Sequence, residues 1–486
     1  MASPSVFRLA RAVDRRLRLE NLSPGTRILS RFLDTIYYTS LKTEEGRPIQ
    51  LRIVLVDPVN PNPTKKKSRR PDRWRIVKLG TQLPFTVAVV SKMAMAADPW
   101  SSSLAVYFDT RGNFFIWGLV DQTVHFNAML VHETYSMYVP PPLGICQVIA
   151  SGAADLTVYR EYDFVARLAQ EILQTRQMDI FSSGPLRKKL LAGFGSHLQT
   201  VWEYHYGRND GGIEIPEEWS LFVRDSQYDD NYLAFVIDVA SDIWFGSLCR
   251  LLISIQRYRH GGALLISPSK SGLNIKYRIN YSRLRTAMGN AALWQLEWNS
   301  LHEAVWFDCV DKNEDIPSDL YKRLDEAGSR VGNFTSEITG CVRFIASLSR
   351  VDGLVLATPD LVVRGFGVEI KTKKEVENIF LASTPEARAS SLRRISSNHF
   401  GTRHRSMMRY CFANANSVGF VLSQDGDIRA MTRVKNRLVV WENPKVLSFS
   451  PSIPEDEGHT PDEERNSSLS RADETAEAGD KDDFSF

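Results

Sequence analysis

Apolar residues near the start of the chain recur at helical intervals. Phe7, Leu9, Val13, Leu17 and Leu19 are set among arginines, so residues 1 to about 40 read as helical. QLRIVLV at 50–56 alternates like a strand. SLAVYFD at 103–109 and NFFIWGLV at 113–120 read as two arms of a hairpin turning at Thr110, Arg111 and Gly112. Strand-like runs follow at 144–151 and 154–160. Helical patterns occupy about 162–176, 186–206 and 230–258, with a polar stretch at 209–212 between the last two. GGALLI at 261–266 reads as a buried strand, and SPSKSG at 267–272 as a polar turn.

From about residue 317 the texture changes. A long helix is predicted to residue 350, with Phe334, Ile338, Cys341, Val342, Ile345 and Leu348 three and four apart. Residues 351–370 read as strand, tight turn at Pro359-Asp360, and strand. Residues 371–399 read as a polar, mobile loop. FGTRHRS at 400–406 opens a helix to about residue 415, and strands follow at 418–423, 427–433 and 437–441. After residue 451 few large apolar side chains remain, so a disordered tail is expected. No repeat recurs at solenoid periods. The expectation is an α/β protein: a mixed α/β N-terminal regulatory or sensor region over 1–310, an α/β domain with a mixed central sheet over 318–450, and an acidic tail over 451–486.

Composition narrows the class. The chain has 486 residues, 43% hydrophobic and 24% charged, which excludes collagen-like and wholly disordered proteins. The net charge of +3 is unevenly spread: the tail carries −9 and residues 1–450 carry +12. A basic body suits an anionic ligand such as a nucleotide. The loop at 58–71, with Lys65, Lys66, Lys67, Arg69 and Arg70, reads as a solvated insertion, and nucleic acid is not the expected partner. Five scattered cysteines without a CxxC pair fit a reducing, cytoplasmic setting. No apolar run approaches the 18 residues of a membrane span. The arginine-rich start also holds Asp14 and Glu20, which favours a surface helix over a transit peptide. His132-Glu133 and His302-Glu303 do not extend to HExxH, and Ser267 with Lys270 lacks a second active-site motif.

The strongest chemical signal is GTRHRS. Gly401 permits close approach of the backbone, and Thr402 is a good N-cap. The following amides then point out of a helix N-terminus, where an anion binds well. Arg403, His404 and Arg405 add three cationic or donor groups, and arginine suits phosphate. Positive charge there opposes the helix dipole, an arrangement an anionic ligand would compensate. Met407, Met408, Cys411, Phe412 and Ala415 supply an apolar stripe beneath. Asp352-Gly353 heads an apolar strand. Facing a polyphosphate, its carboxylate would hold a divalent cation, and Gly353 would let a ligand approach the backbone. Ser423-Gln424-Asp425-Gly426 ends another strand and, read alone, is a hairpin turn.

Together, DG at 352, GTRHRS at 401 and SQDG at 423 resemble, in order and spacing, the DisA-type diadenylate cyclase domain, over about residues 318–450. The whole chain more closely resembles the DACNV sensor-domain proteins, a branch in which a large α/β region precedes a cyclase-like domain. The resemblance implies a bacterial nucleotide-signalling enzyme, a nucleotidyltransferase. Two ATP molecules face each other across a homo-oligomer with cyclase domains face to face. Each 3′-hydroxyl attacks the other ATP's α-phosphate, pyrophosphate leaves, and cyclic di-AMP forms. It implies Asp352 as the ligand of Mg²⁺ or Mn²⁺ and, with Arg405, as catalytic. It places Gly353, Leu354, Gly401, Thr402, Arg403, His404, Arg405, Ser406 and Ser423 on the nucleotide. The family's DGA reads DGL here, and Leu354 would either crowd the nucleotide or point into the core. The alternative is a domain without turnover that binds ATP or an adenine dinucleotide and signals through the N-terminal region.

Overall fold

The computed structural model describes residues 3–44, 46–61, 75–97, 101–121, 144–160, 163–169, 171–191, 230–258, 260–312, 314–372, 376–423 and 427–446. The basic loop residues 65–70, His132-Glu133, the polar stretch at 209–212, Gln424 to Gly426 and the acidic tail lie outside them. The fold is α/β, built on two mixed sheets within the compact unit Met1–Ser448.

The N-terminal helical pattern resolves into α1 (Pro4–Arg18) and α2 (Thr26–Ser40). A short ladder, β1 (Thr43–Glu44) with β2 (Arg47–Pro48), leads to β3 (Leu51–Leu55). Then come β4 (Arg75–Pro84), α3 (Val87–Ala94), β5 (Ser102–Phe108), β6 (Phe114–Asp121), β7 (Cys146–Gly152), β8 (Asp155–Arg160), β9 (Asp163–Ala169) and β10 (Ile172–Gln174). The eight strands from β3 onward lie in the order β10-β9-β8-β7-β3-β5-β6-β4, with only β3 and β5 parallel. Alternation sorts β3 and the residue after it: Ile53 and Leu55 join the helix-covered core, while Val54 and Val56 pack with Trp117 on the opposite face. The ring of Phe32 on α2 stacks on Phe85 at 5.5 Å and Phe114 at 5.6 Å, locking helix to sheet. The arginine-rich start is thus one face of a helix whose other face, Val6, Leu9, Val13 and Leu17, is core.

Where periodicity predicts a helix over 162–176, the chain forms β9 and β10. Ala, Arg, Leu and Glu favour helix locally, but Ala166 and Leu168 pair opposite Val158 and Leu156 of β8, and α1 covers them. Burial in the sheet overrides the local preference.

The second sheet follows α4 (Asp230–Arg257). Its strands are β11 (Gly262–Ile266), β12 (Leu273–Tyr281), β13 (Leu354–Ala357), β14 (Val363–Ile370), β15 (Ile379–Ala382), β16 (Leu392–Ile395), β17 (Val418–Leu422), β18 (Ile428–Val434) and β19 (Arg437–Glu442). They lie in the order β12-β14-β13-β11-β17-β18-β19-β15-β16, with β11/β13 and β15/β19 parallel. The sheet therefore reaches back past residue 317, where the sequence changes texture, to take in β11 and β12. The stretch at 371–399, read as a mobile loop, contributes β15 and, outside it, the edge strand β16. Each has only four residues, too few for alternation to register.

Helices α4, α5 (Arg283–Ala304) and α6 (Ser318–Leu348) pack on one another, with α4 against β17 and α6 against β14. Helix α7 (Thr402–Ala413) packs on β17, β18, β19 and β14. All five cysteines are buried and free. Among the described residues no helix is long and apolar enough to cross a membrane.

Candidate functional site

Helix α7 carries the GTRHR motif. Met407, Met408, Tyr410 and Cys411 are buried, turning one face of the helix into the core. Phe412 is half-buried and Ala415 exposed, so the apolar stripe is narrower than the sequence suggests. The helix lies so close to the sheet that a Cβ on Gly419 of β17 would stand 2.5 Å from Met407 Cγ and 3.0 Å from Cys411 Sγ. Glycine there allows the helix to settle. Farther along, Tyr410 Oη donates to the Ser269 carbonyl at 2.8 Å and lies 3.2 Å from Ser267 Oγ. Ser267 thereby helps anchor a turn, in line with the polar-turn reading of SPSKSG. His302 stacks on Trp298 at 4.9 Å, with no metal-ligand cluster around it among the described residues.

The N-terminus of α7 differs from expectation in one respect. Thr402 is the first helical residue, and Gly401 is the N-cap, with no side-chain capping bond. The Gly401 carbonyl accepts from Arg405 N at 3.1 Å, so the amides of Thr402, Arg403 and His404 precede the first intrahelical bond. No acidic residue stands in the first turn. Arg403 is exposed, while Arg405 and Ser406 are half-buried, and neither guanidinium meets a carboxylate among the described residues. Among the described residues the helix thus starts with donors that no side chain caps and two cations that no carboxylate pairs, an anion-receptive arrangement.

His404 is not a third cation. Its Nε2 lies 3.3 Å from Arg429 Nη1. A guanidinium only donates, so Nε2 accepts and the ring proton sits on Nδ1. Burial, then the charges of Arg429 and Arg403, push its pKa down to about 4 against an opposing pull from Asp427. Arg429 is itself fixed: Nε donates to Glu442 Oε1 at 2.9 Å, Nη2 lies 3.7 Å from Asp427 Oδ2, and the guanidinium stands 5.5 Å over the Phe400 ring.

The other motifs reach the same end of the sheet through register. Leu264 pairs with Val355, Gly262 with Leu422, and Leu422 with Ile428. Asp352-Gly353 before β13, Ser423 after β17 and Asp427 before β18 therefore share one end of the sheet with the first turn of α7. Three strand spacings, roughly 14 Å, separate β13 from β18. Ser423 Oγ accepts from Asp427 N at 3.0 Å, and Ser423 N donates to the Asp427 carbonyl at 2.9 Å, closing the hairpin.

Asp352 is exposed. Gly353 has φ +113°, and a Cβ on it would lie 2.6 Å from the Gly367 carbonyl carbon. The missing Cβ thus lets the backbone of β14 approach closely. Leu354 is 5% exposed and packs in the core beneath α7, with Leu356 and Met407. Its side chain lies in the core, the second of the two placements the sequence allowed. Any nucleotide contact from Leu354 would run through its backbone. Lys276 on β12 stands within electrostatic range of Asp352 and is bound to Glu369 at 2.9 Å. Sequence reasoning missed Lys276, Asp427 and Arg429. Strand alternation gives such residues a face but no partner.

Residues 19–121, from the end of α1 through β6, match the family model described as the probable sensor domain DACNV. The matched stretch is about a fifth of the chain and takes in α2, α3 and the strands β1 to β6. No curated protein and no solved structure matches the chain.

Proposed function

We propose that the second sheet and α7 form an adenine-nucleotide site, and that the protein condenses two ATP molecules into cyclic di-AMP. The observation that carries the reading is the first turn of α7. Among the described residues no side chain caps its amides, it holds no acid, and it shares one end of the sheet with Asp352 and Ser423. Phosphate oxygens fit those donors, with Arg403 and Arg405 beside them. Ser423 and the backbone of Gly353 border the same end. The 3′-hydroxyl of each nucleotide would attack the α-phosphorus of the other, presented by a facing copy of the chain. In each attack the bond to pyrophosphate breaks and the hydroxyl proton passes to solvent or base, so that two phosphodiester bonds form and two pyrophosphates leave. Positioning and charge neutralisation supply most of the acceleration in such transfers.

A Mg²⁺ or Mn²⁺ ion fits Asp352 as a cation that arrives with the nucleotide. The carboxylate is exposed, and no trio of ligating side chains gathers among the described residues, so phosphate and water would complete the shell. When bound, the ion would offset charge on the phosphates. Asp352 would hold it, and Arg405 would stand against the phosphates.

The match to a sensor family at residues 19–121 favours a second reading, in which the site binds ATP or an adenine dinucleotide without turnover. Incubating the pure protein with ATP and Mn²⁺, followed by mass spectrometry, separates the two. Cyclic di-AMP is expected, and Asp352→Asn should cut its formation by at least about a hundredfold. ATP binding should fall far less in that variant. Arg403→Ala with Arg405→Ala should lose both. Binding without product would establish the sensor reading, and absence of any adenine-nucleotide binding would overturn both.

A further inference from the structure

Arg167 on β9 joins the two sheets. Its Nε and Nη2 hold both oxygens of Asp155 at 2.8 and 2.9 Å, and its Nη1 holds Asp427 Oδ1 at 2.8 Å. Asp155 also accepts from Ser151 Oγ at 2.7 Å. The side chains of Arg167 and Asp155 are 11% and 9% exposed, so water screens this contact poorly. Burial opposes the charge on Arg167, but the two carboxylates outweigh it and raise its pKa. Asp427 faces Arg429, and Arg429 reaches His404. An unbroken series of polar contacts therefore runs from β8 and β9, through the turn before β18, to the first turn of α7. The surrounding joint is tied as well: Lys445 N donates to the Met178 carbonyl at 2.7 Å, and Lys189 Nζ to Thr432 Oγ1 at 3.0 Å.

We infer that Arg167 is a positioning residue through which the N-terminal sheet regulates the phosphate site, by fixing how Asp427 divides its charge between two guanidinium groups. Its consequence for nucleotide affinity rests on the proposed function; the coupling between Arg167 and His404 does not. With Arg167 held at 2.8 Å, Asp427 reaches Arg429 only at 3.7 Å, and Arg429 Nη1 stays on the His404 ring. When β9 withdraws Arg167, the full carboxylate charge turns to Arg429. A charge-assisted bond to carboxylate is about twice as strong as one to a neutral acceptor, so, with Nε still on Glu442, the Nη groups turn towards Asp427 and Nη1 leaves the His404 ring. His404 then regains basicity and adds a cation to the helix N-terminus. The coupling is reciprocal, and an anion bound at α7 bears back on β9.

The test reads the His404 ring in the full chain by NMR with labelled histidine, the signal assigned through His404→Gln. The charged groups facing the ring are Arg403 on its own helix, Arg429 from β18 and Asp427 from the preceding turn. In Arg167→Met the titration of His404 should rise by about one pH unit. In Arg167→Met/Asp427→Asn it should show no rise, because nothing then draws Arg429 away and the ring also loses the upward pull of Asp427. Arg167→Lys, which keeps a cation on Asp427, should stay at the wild-type position. No rise in Arg167→Met, or an equal rise in all three variants, would overturn the proposal, the latter because general loosening explains it. In parallel, Arg167→Met should bind ATP about two- to threefold tighter than wild type at pH 5.5 and equally at pH 8. If wild type binds no ATP, the nucleotide reading fails while the His404 titration still decides the coupling. If ATP binds and His404 does not move, the coupling fails and the nucleotide reading stands.

Discussion

Gly353 faces Gly367 across the β13–β14 pair so closely that a Cβ on Gly353 would stand 2.6 Å from the Gly367 carbonyl carbon and 2.8 Å from Val368 N. Neither atom can swing aside as a side chain would. Both glycines have positive φ, +113° and +62°. Gly353→Ala should therefore cost at least about 2 kcal/mol, from backbone strain plus overpacking. A fall in the midpoint of denaturant unfolding checks it. A neutral result would mean that β13 starts differently.

Leu354→Ala probes the adjoining residue, which packs beneath α7. Loss of a buried leucine should destabilise the fold by about 2–4 kcal/mol. The substitution should not raise nucleotide affinity, because the leucine side chain lies in the core. Tighter ATP binding in a stable variant would place that side chain at the nucleotide instead.

The depressed pKa of His404 sets a pH dependence. The unfolded chain titrates near 6.5 and the folded ring at about 4, so between those values the unfolded state binds the extra proton. The stability from this residue is complete above about pH 6.5 and is lost as pH falls towards 4. Melting temperature should drop over that window, and His404→Gln should flatten the slope. An unchanged slope would show that His404 titrates normally in the folded protein.

Asp14 carries the corresponding effect for the first sheet. Burial alone would raise its pKa, but bonds from Arg18, Ser23 and Thr26 hold it down at about 2. Its contribution is present above about pH 4 and is lost as pH falls through about 2. Thr26 Oγ1 donates to it at 2.5 Å, so the carboxylate ties α1 to the start of α2. Asp14→Ala should cost about 2 kcal/mol at pH 7 and much less at pH 2, measured by urea unfolding.

Long periodic stretches were legible in the sequence. Residues 318–348 and 230–257 form helices where apolar spacing predicted them, and the runs in β3, β5, β6, β17, β18 and β19 form strands. Such segments carry their own burial pattern, so local spacing suffices. The helix start at GTRHRS was also legible, because Gly401 and Thr402 suit an N-cap and Met407, Met408 and Cys411 follow at helical spacing.

Other features were decided by the tertiary structure. Residues 163–169 are a strand because β8 and α1 bury Ala166 and Leu168, a gain that helix propensity could not foretell. Gly353 reads locally as a turn, and only the approach of β14 gives it a second reason. In the sequence Arg167 falls in a stretch whose spacing predicts a helix, and Asp427 and Arg429 fall in a predicted strand, with nothing to link them. They become one series only when β9 and β18 are brought together, 260 residues apart in the chain for Arg167 and Asp427. Spacing along a sequence encodes which face of an element is buried. Which charge meets which across two sheets depends on distances that exist only after both cores have formed.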